Sequence, residues 1–411
     1  MIRTLLLLGA TGDLARRFLL PALGALHAAG SLPEGFRVVG AARGELDNDG
    51  LEQLAGPHLP VNMLRYHAVE LADPATIAAA LGPTPEPVAI YLALPPGVFA
   101  TTIESLGEIC LPAGSLVAIE KPFGHDLESA RSLNRLLAEA GIDAYRVDHV
   151  LGLDTVRNLV ALRRDNPVLA RIWNGESVEQ VDILWEETLA LEGRAGYYDH
   201  AGALRDVLQN HMLQLLGLVA MDPADDDSLH ERKLEVLRSA NATGSRRARY
   251  TAGRLADGRE VTGYAHEEGV EPTRCTETFA EVLLELDARR WAGTRFVLRA
   301  GKALSKRRKL VLLRFRDRSE LEIGIDGPED IVLRLSGASA DPVELRAHPP
   351  GTGLPVYAHV LLDVLRGTRA LSASGDEAEQ AWRIVSPVLE AWETGDVELE
   401  EYPAGSAGPQ T

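Results

Sequence analysis

The chain has 411 residues, of which 45% are hydrophobic and 25% charged, as is typical of a soluble globular protein with two or three domains. Its 42 basic and 60 acidic side chains give a net charge of −18, which disfavours nonspecific binding to nucleic acid or to an anionic membrane. The two cysteines are too few for a disulfide framework or a cysteine-based zinc site, and because no apolar run approaches the roughly 20 residues of a membrane span, we expect a cytoplasmic location.

The first 150 residues alternate between short apolar runs and amphipathic stretches. The apolar runs predict strands at Thr4–Leu8, Phe36–Ala42, Pro87–Leu94, Ser115–Glu120 and Ala144–Val150. The amphipathic stretches predict helices at Leu14–Ala29, Thr101–Ile109 and Leu127–Ala140. Apolar strands separated by helices imply a doubly wound parallel sheet that is covered on both faces.

After about Gly152 the pattern changes to a long apolar helix and half-buried strands. The helix is predicted at Ala201–Met221, because leucines and a methionine recur there at helical spacing. Strands are predicted at Ser177–Glu187, Thr276–Leu286, Lys309–Arg316, Glu320–Ile325 and Asp330–Leu335. Further helices are predicted at Val356–Leu365 and Asp376–Glu393, and the Pro-, Gly- and Ser-rich tail Tyr402–Thr411 is expected to be loose. Residues 151–411 should therefore form an α+β domain with a large, mostly antiparallel sheet.

The segment between the first predicted strand and the first predicted helix contains glycines that suit a phosphate group. It reads Leu8-Gly9-Ala10-Thr11-Gly12-Asp13-Leu14-Ala15. Glycines let the backbone turn sharply and approach a pyrophosphate, and the start of a helix offers free N–H groups. Gly9, Thr11, Gly12, Asp13 and Leu14 are therefore candidate dinucleotide-binding residues. The full G-x-G-x-x-G spacing is absent, so an ordinary strand-to-helix turn is the alternative explanation.

The end of the second predicted strand bears on the choice between NADP and NAD. Arg43 follows this strand and could pair with the 2′-phosphate of NADP, whereas an acidic residue there would hold the ribose of NAD. An exposed strand-end arginine is the alternative, and Glu45 and Asp47 would weaken phosphate binding. Second candidates on the first helix are Arg16 and Arg17. We expect NADP as the cofactor, with NAD as the alternative.

Seven further motifs follow one another along the chain. They are Tyr91-Leu92-Ala93-Leu94-Pro95-Pro96, Glu120-Lys121-Pro122-Phe123-Gly124, Tyr145-Arg146-Val147-Asp148-His149-Val150-Leu151-Gly152, Gly196-Tyr197-Tyr198-Asp199, Gly202-Ala203-Leu204-Arg205-Asp206, Gln209-Asn210-His211 and Arg299-Ala300-Gly301-Lys302-Ala303-Leu304. In this order they resemble the signatures of the glucose-6-phosphate 1-dehydrogenase family, over nearly the whole chain. The resemblance implies a Rossmann-like NAD(P)-binding domain at residues 1–150 and an α+β substrate-binding and dimerisation domain at residues 151–411.

The resemblance assigns catalytic roles to a histidine, an aspartate and a lysine. Oxidising a sugar hemiacetal to a lactone requires a base, and histidine suits neutral pH. By similarity His211 is that base and Asp148 the carboxylate that orients it. Without the resemblance, His211 is more simply a core residue among leucines. Lys121 corresponds to a lysine that reaches both cofactor and sugar, and its alternative role is a solvated strand-end charge.

The resemblance also assigns binding residues. Leu94, Pro95 and Lys121 join the cofactor-binding set, and the sugar-binding set comprises Lys121, His149, Glu187, Asp206, His211, Lys302 and Arg307. Carboxylates accept hydrogen bonds from neutral hydroxyls, so Glu187 and Asp206 suit an uncharged polyol, although ion pairing is their alternative role. No metal site is indicated, because the 11 histidines show no paired ligand spacing.

The sequence departs from the family where the sugar 6-phosphate is expected. The family typically reads His-Tyr-Leu-Gly-Lys-Glu there, whereas this chain has Val150 for the tyrosine and Leu153 for the lysine. Losing two charge-assisted hydrogen bonds implies a loss of about 10²–10⁴ in affinity for the phosphate. Against this reading, His149 and Arg307 remain and could keep a weakened phosphate site.

The leading interpretation is an oxidoreductase that converts carbon 1 of a glucose-like aldose to the 1,5-lactone with hydride transfer to NAD(P). Glucose 6-phosphate stands slightly ahead of a 6-modified or unphosphorylated hexose as the substrate. The alternative is a noncatalytic NADP(H) or sugar sensor that keeps the dehydrogenase fold. A homodimer or homotetramer is plausible, although the short connection between Arg316 and Glu320 leaves the oligomeric state open.

Overall fold

The computed structural model describes residues 1–44, 48–56, 59–327, 329–336 and 342–410. It divides into two compact units. The first unit comprises residues 1–154 and 351–378, and the second comprises residues 155–350 and 379–411. The chain thus leaves the first unit near Asp154 and returns to it near Gly351, a return that a single boundary after residue 150 does not include.

The first unit contains a six-stranded, all-parallel sheet. Its strands are β1 (Thr4–Leu8), β2 (Arg37–Ala42), β3 (Leu64–Ala68), β4 (Val88–Leu92), β5 (Leu116–Glu120) and β6 (Ala144–Val147). The spatial order is β3-β2-β1-β4-β5-β6, the order of a dinucleotide-binding Rossmann sheet. Every residue of β1, β4 and β5 is buried, because helices cover both faces of a doubly wound sheet. The predicted fold class is confirmed for this unit.

Helices follow most of these strands. They are a π-helix at Ala15–Leu19 that continues as α1 (Leu20–Ala28), then α2 (Asn48–Ala55), α3 (Pro74–Leu81), α4 (Phe99–Gly107) and α5 (Leu127–Glu139). The start of α5 is set by Asp126, whose carboxylate accepts the Ser129 N–H at 2.7 Å. The predicted elements of this half are confirmed within a few residues, but β3, α2 and α3 were not predicted.

The second unit is built around a nine-stranded mixed sheet. In chain order its strands are β7 (Val178–Glu186), β8 (Ala240–Thr251), β11 (Phe279–Leu286), β12 (Arg295–Gly301), β13 (Arg308–Phe315), β14 (Glu320–Gly324), β15 (Ile331–Leu335), β16 (Val343–Ala347) and β17 (Leu399–Pro403), and a separate two-stranded ribbon is formed by β9 (Gly253–Arg254) and β10 (Glu260–Val261). Most neighbours pair antiparallel, whereas β7 with β12 and β8 with β17 pair parallel. The expected mostly antiparallel sheet is confirmed.

Besides short 3-10 turns, the described residues also form α6 (Asp154–Asp165), α7 (Pro167–Ile172), α8 (Ala195–Ala203), a π-helix at Leu204–Met212, α9 (Leu213–Ala220), α10 (Leu229–Ser239), α11 (Val356–Arg366) and α12 (Gly375–Glu393). The long helix predicted at Ala201–Met221 is interrupted at its start, because Gly202 has a φ of +68°. Apolar spacing alone could not show this break, since the buried leucines that carry the pattern, from Leu204 to Leu216, all lie after Gly202.

The C-terminal tail and helix α11 are both packed against other elements. The tail Tyr402–Thr411, expected to be loose, is held in place up to Gln410: Tyr402 is buried in β17, and the N–H of Gly405 donates to Ala303 O at 2.7 Å. Helix α11 packs into the first unit, where its Val360, Leu361 and Val364 belong to the core beneath β1. Among the described residues no helix is both long and apolar enough to span a bilayer.

Candidate active site

A cavity of about 480 Å³ lies at the carboxyl ends of β1, β2 and β4 in the first unit. Six of the predicted cofactor-binding residues line it, namely Gly9, Thr11, Gly12, Arg43, Leu94 and Pro95. The carboxyl edge of a parallel sheet is where open α/β folds bind their ligands. Asp13, Leu14 and Lys121 are not among the lining residues. The cavity also includes Val69–Ala72, which the sequence did not indicate because β3 was not predicted.

The glycines of the first loop let the backbone pass close to its neighbours. Gly9 has a φ of +87°, and a Cβ atom there would lie 2.2 Å from Ala93 O. A Cβ on Gly12 would lie 3.1 Å from Gly9 O, the same atom that accepts the Gly12 N–H at 2.9 Å. These contacts leave a narrow cradle at the start of a helix, which fits the pyrophosphate of a dinucleotide. The residues present therefore suit a nicotinamide cofactor.

The charges in this cavity are mixed. Arg43 is exposed and lines the cavity together with Glu70, so the cavity offers both a cation and a carboxylate. Of the second candidates, Arg17 is paired with Asp13 at 3.2 Å. Glu45 and Asp47, expected to weaken phosphate binding, lie outside the described residues.

Lys121 directly follows a buried carboxylate at the end of β5. The Tyr91 hydroxyl donates to Glu120 Oε1 at 2.6 Å, and the Tyr357 hydroxyl also donates to this carboxylate. Burial raises the pKa of Glu120 to about 7, although the Tyr91 hydrogen bond and the charge of Lys121 oppose this rise. Glu120 is thus held by two tyrosines beside a predicted catalytic lysine.

Asp148 and His149 follow β6 at the same edge of the sheet. Asp148 is 3% exposed, and its Oδ1 accepts the Val150 N–H at 3.1 Å. The His149 ring stacks on the Tyr357 ring, with centroids 6.0 Å apart and planes at 22°. Tyr357 comes from α11, about 200 residues later, and no sequence signal identified it. The structure therefore adds Glu120 and Tyr357 to the residues around this part of the candidate site.

Asp206 and His211 lie on the π-helix Leu204–Met212 of the second unit. His211 is 3% exposed, and its ring packs against Trp185 of β7 with centroids 5.7 Å apart. Asp206 is half-buried and accepts the Tyr197 hydroxyl at 3.4 Å. Asp206 and His211 therefore lie on one helix, as the sequence predicted.

Glu187 stands between two lysines at the end of β7. Its carboxylate lies 2.7 Å from Lys302 Nζ and 3.4 Å from Lys309 Nζ. Burial works to raise the pKa of Glu187, but the two lysines outweigh it and leave the pKa below its ordinary value. Lys309 Nζ also sits 4.5 Å from the centre of the Trp185 ring. The structure thus joins the predicted Glu187 and Lys302 through direct contact and adds Lys309.

Arg307 is already engaged by a carboxylate. Its Nη2 lies 2.9 Å from Asp326 Oδ2, which also lies 2.9 Å from Lys309 Nζ. Burial works to raise the pKa of Asp326, but Lys309 and Arg307 hold it below its ordinary value. A residue expected to meet the sugar phosphate is therefore ion-paired with Asp326. The sequence did not indicate this contact, because Arg307 lies just before β13 and Asp326 just after β14, and only the pairing of these two strands brings them together.

The structure distributes the predicted residues between the two units. The first unit holds the cofactor-binding set with Lys121, Asp148 and His149, and the second holds Glu187, Asp206, His211, Lys302 and Arg307. Within the second unit, contacts join Glu187 with Lys302, and His211 shares a helix with Asp206. The pairing of Asp148 with His211 remains a prediction.

Comparison with known proteins gives matches over almost the whole chain. Residues 6–158 match the family model described as glucose-6-phosphate dehydrogenase, NAD binding domain, and residues 160–411 match that of the glucose-6-phosphate dehydrogenase C-terminal domain. The glucose-6-phosphate 1-dehydrogenase of Gluconobacter oxydans is 36% identical to the chain, over 98% of this chain and 93% of that protein.

Solved structures agree with this match. The X-ray structure of glucose-6-phosphate 1-dehydrogenase from Mycobacterium avium is similar with a TM-score of 0.87 and 32% identity, covering 100% of this chain and 96% of that one. A glucose-6-phosphate dehydrogenase in complex with its substrate glucose-6-phosphate is similar with a TM-score of 0.89 and 29% identity, at the same coverage. The fold is thus shared along the full length of the chain.

Proposed function

Because the chain belongs to the glucose-6-phosphate dehydrogenase family, we propose that it is an oxidoreductase that converts carbon 1 of a glucose-like aldose to the 1,5-lactone. In this reaction the C1–H bond breaks as a hydride leaves the sugar. The hydroxyl proton on C1 passes to a base, and the C1–O bond becomes the lactone carbonyl. A bound nicotinamide supplies the hydride acceptor, and every other step belongs to side chains of this chain.

We assign the proton transfer to His211, with Asp148 as the carboxylate that orients the imidazole and stabilises its charged form. Glu187 and Asp206 accept hydrogen bonds from sugar hydroxyls, Lys302 and His149 complete the sugar contacts, and Lys121 serves both sugar and cofactor. The observation that carries this proposal lies in the second unit, where one π-helix bears both Asp206 and His211. The His211 ring packs against Trp185, which lies two residues before Glu187.

NADP is the proposed cofactor, because Arg43 lines the cavity where the 2′-phosphate of its ribose would sit. Glu70 in the same cavity keeps NAD as the alternative, since a carboxylate can hold the ribose hydroxyls. Cytoplasmic location and assembly into a homodimer or homotetramer are further expectations of the family relationship.

The experiment that tests the function measures reduced cofactor by absorbance with purified protein, NADP or NAD, and aldoses with and without a 6-phosphate. Turnover with any of these sugars excludes the noncatalytic sensor. In the same assay His211→Asn should lower kcat by about 10²–10⁴-fold while the dissociation constants for sugar and cofactor change little. Unchanged turnover in this variant would refute the assigned base.

A hexose without a 6-phosphate is the second candidate substrate, and two observations favour it. Arg307 is ion-paired with Asp326, and the lysine typical of the family is replaced by Leu153, which is half-buried. Val150, the other replacement, is 0% exposed, so its side chain offers no surface to a ligand. Glucose 6-phosphate remains the first candidate, because the compared enzyme binds it as substrate.

Leu153→Lys separates these two candidates. The new ammonium would supply a charge-assisted donor, so kcat/KM for glucose 6-phosphate should rise by about tenfold while kcat/KM for glucose stays constant. Leu153→Met, which keeps an apolar side chain of similar size, is the control. An equal response to both sugars would mean that residue 153 does not face carbon 6.

A further inference from the structure

A buried carboxylate meets the start of the helix that carries Asp206 and His211. Glu277 is 6% exposed and lies just before β11. Its Oε1 accepts the Leu204 N–H at 2.9 Å, and its backbone carbonyl accepts the Ala203 N–H at 3.2 Å. The first N–H groups of a helix have no partner within the helix, so an external acceptor fixes where that helix begins. One residue therefore holds two consecutive amides at the start of the candidate catalytic helix.

The backbone before this helix is shaped around the same carboxylate. Gly202 has a φ of +68°, and a Cβ atom at this position would lie 2.3 Å from Glu277 Oε1. Any larger residue would displace the carboxylate or the turn. The glycine and the glutamate thus form one device, and the helix direction depends on both.

The next residue connects this device to a second part of the site. The Lys302 N–H donates to the Thr278 carbonyl at 2.9 Å, and the Tyr402 hydroxyl donates to Lys302 O at 2.7 Å. Lys302 Nζ in turn contacts Glu187 at 2.7 Å. Two adjacent residues, Glu277 and Thr278, are therefore hydrogen-bonded to the elements that carry Asp206, His211, Lys302 and, through Lys302, Glu187.

We propose that Glu277 is a positioning residue for the dehydrogenase reaction, which acts by fixing the start of the helix that bears Asp206 and His211 relative to Lys302. This inference rests on the proposed function for its catalytic consequence. Glu277 itself is buried and need not touch the sugar or the cofactor. A displacement of about 1 Å in groups that must meet a reacting carbon is enough to lower the rate by about a hundredfold.

The charge of Glu277 makes the proposal testable by pH. Burial raises the pKa of Glu277 to about 7, while the Leu204 amide, Arg205 and Arg247 oppose the rise. The phenols of Tyr198 and Tyr264 also interact with it. An ionised carboxylate is a stronger acceptor than a neutral one, so the helix start should be held more firmly above neutral pH than below it.

The first experiment compares Glu277→Gln with the wild-type enzyme between pH 6 and pH 8. Glutamine keeps an acceptor but cannot ionise, so the ratio of wild-type to variant kcat should rise from about one at pH 6 to about tenfold at pH 8. The control is Glu281→Gln, which removes another buried carboxylate nearby, one that is paired with Arg299 at 2.7 Å. A constant ratio for Glu277→Gln would overturn the proposal.

The second experiment removes the acceptor with Glu277→Ala. We expect kcat to fall by about a hundredfold and the sugar KM to rise, with the cofactor KM within about twofold of wild type, because the dinucleotide loop belongs to the other unit. Amide hydrogen exchange in residues 203–212 should accelerate by about tenfold, and it should not in Glu281→Ala.

Hydrogen exchange also separates the two proposals. If no aldose is turned over by the wild-type protein, the proposed function fails, while faster exchange in residues 203–212 of Glu277→Ala still supports the anchoring role. If that exchange is unchanged, the positioning role fails even when the enzyme is active. Should Glu277→Ala not fold, the pH series with Glu277→Gln decides the question.

Discussion

At the scale of single residues, the surroundings of four carboxylates shift their pKa values in opposite directions. Glu187 and Asp326 each contact Lys309 and a second cation, and both have a lowered pKa. Glu120 and Glu277 are buried among hydroxyls and amides, and both have a pKa raised to about 7. The difference arises because Glu187 and Asp326 each contact two cations directly, which outweighs burial, whereas the charges near Glu120 and Glu277 do not outweigh it.

Glu120 should make stability depend on pH. Between its ordinary value near 4.5 and its folded value near 7, the folded state keeps a proton that the unfolded state has released. Stability therefore falls as pH rises through this range and changes no further above it. Glu120→Gln does not titrate, so between pH 4.5 and pH 8 its stability relative to wild type should improve by up to about 3 kcal/mol.

Differential scanning calorimetry across this pH range measures the effect on Glu120. Glu104→Gln, which changes an exposed carboxylate of the same unit, is the control and should follow the wild-type curve. If the melting temperature changed with pH equally in the wild type and in Glu120→Gln, the pKa of Glu120 would not be raised in the folded state.

At the scale of elements, the two decisive features are breaks in regular structure that only glycine allows. Gly9 ends β1 with a positive φ against the carbonyl of Ala93, and Gly202 interrupts the helix that precedes His211. In both places an added Cβ would meet an oxygen atom at less than 2.5 Å, a distance that packed atoms do not adopt. The loop and the helix start therefore depend on close approach as well as on backbone freedom.

Gly9→Ala should weaken the binding of the nicotinamide cofactor but not the binding of the sugar. Its Cβ would force the first loop away from Ala93, so the cofactor KM should rise by about tenfold or more while the sugar KM changes little. Gly30→Ala is a matched control, since Gly30 also has a positive φ of +63° but no atom within 4 Å of the added Cβ. Equal effects of the two substitutions would show that backbone strain, and not the contact with Ala93, limits binding.

At the scale of the whole molecule, the first unit is assembled from two separate stretches of chain. Helix α11 supplies Val360, Leu361 and Val364 to the core beneath β1, and the N–H of Ile2 donates to Leu365 O at 2.6 Å. The two stretches meet where the Thr352 N–H donates to Asp154 Oδ2 at 2.6 Å. The parallel sheet therefore lacks part of its cover until residues 351–378 have been added.

A fragment of residues 1–154 should not unfold cooperatively, because the apolar surface under α11 would be exposed to water. The same fragment joined to residues 351–378 by a short Gly/Ser linker should unfold cooperatively, since Asp154 and Thr352 are in direct contact. Thermal melts followed by circular dichroism distinguish the two. A cooperative melt of residues 1–154 alone, at the temperature of the joined fragment, would contradict this account.

The sequence by itself determined the parallel sheet of the first half, the mostly antiparallel sheet of the second, the glycine turn after β1 and the family. These follow from local signals, since strand and helix periodicity and glycine placement act over a few residues. Only the tertiary structure decided that α11 belongs to the first unit, that the tail is packed, and that Asp326 forms an ion pair with Arg307. It also brought Tyr357 to His149 and Glu277 to the start of the His211 helix. Such contacts join residues far apart in the chain, and they are set by how the strands are ordered in space, which no local pattern encodes.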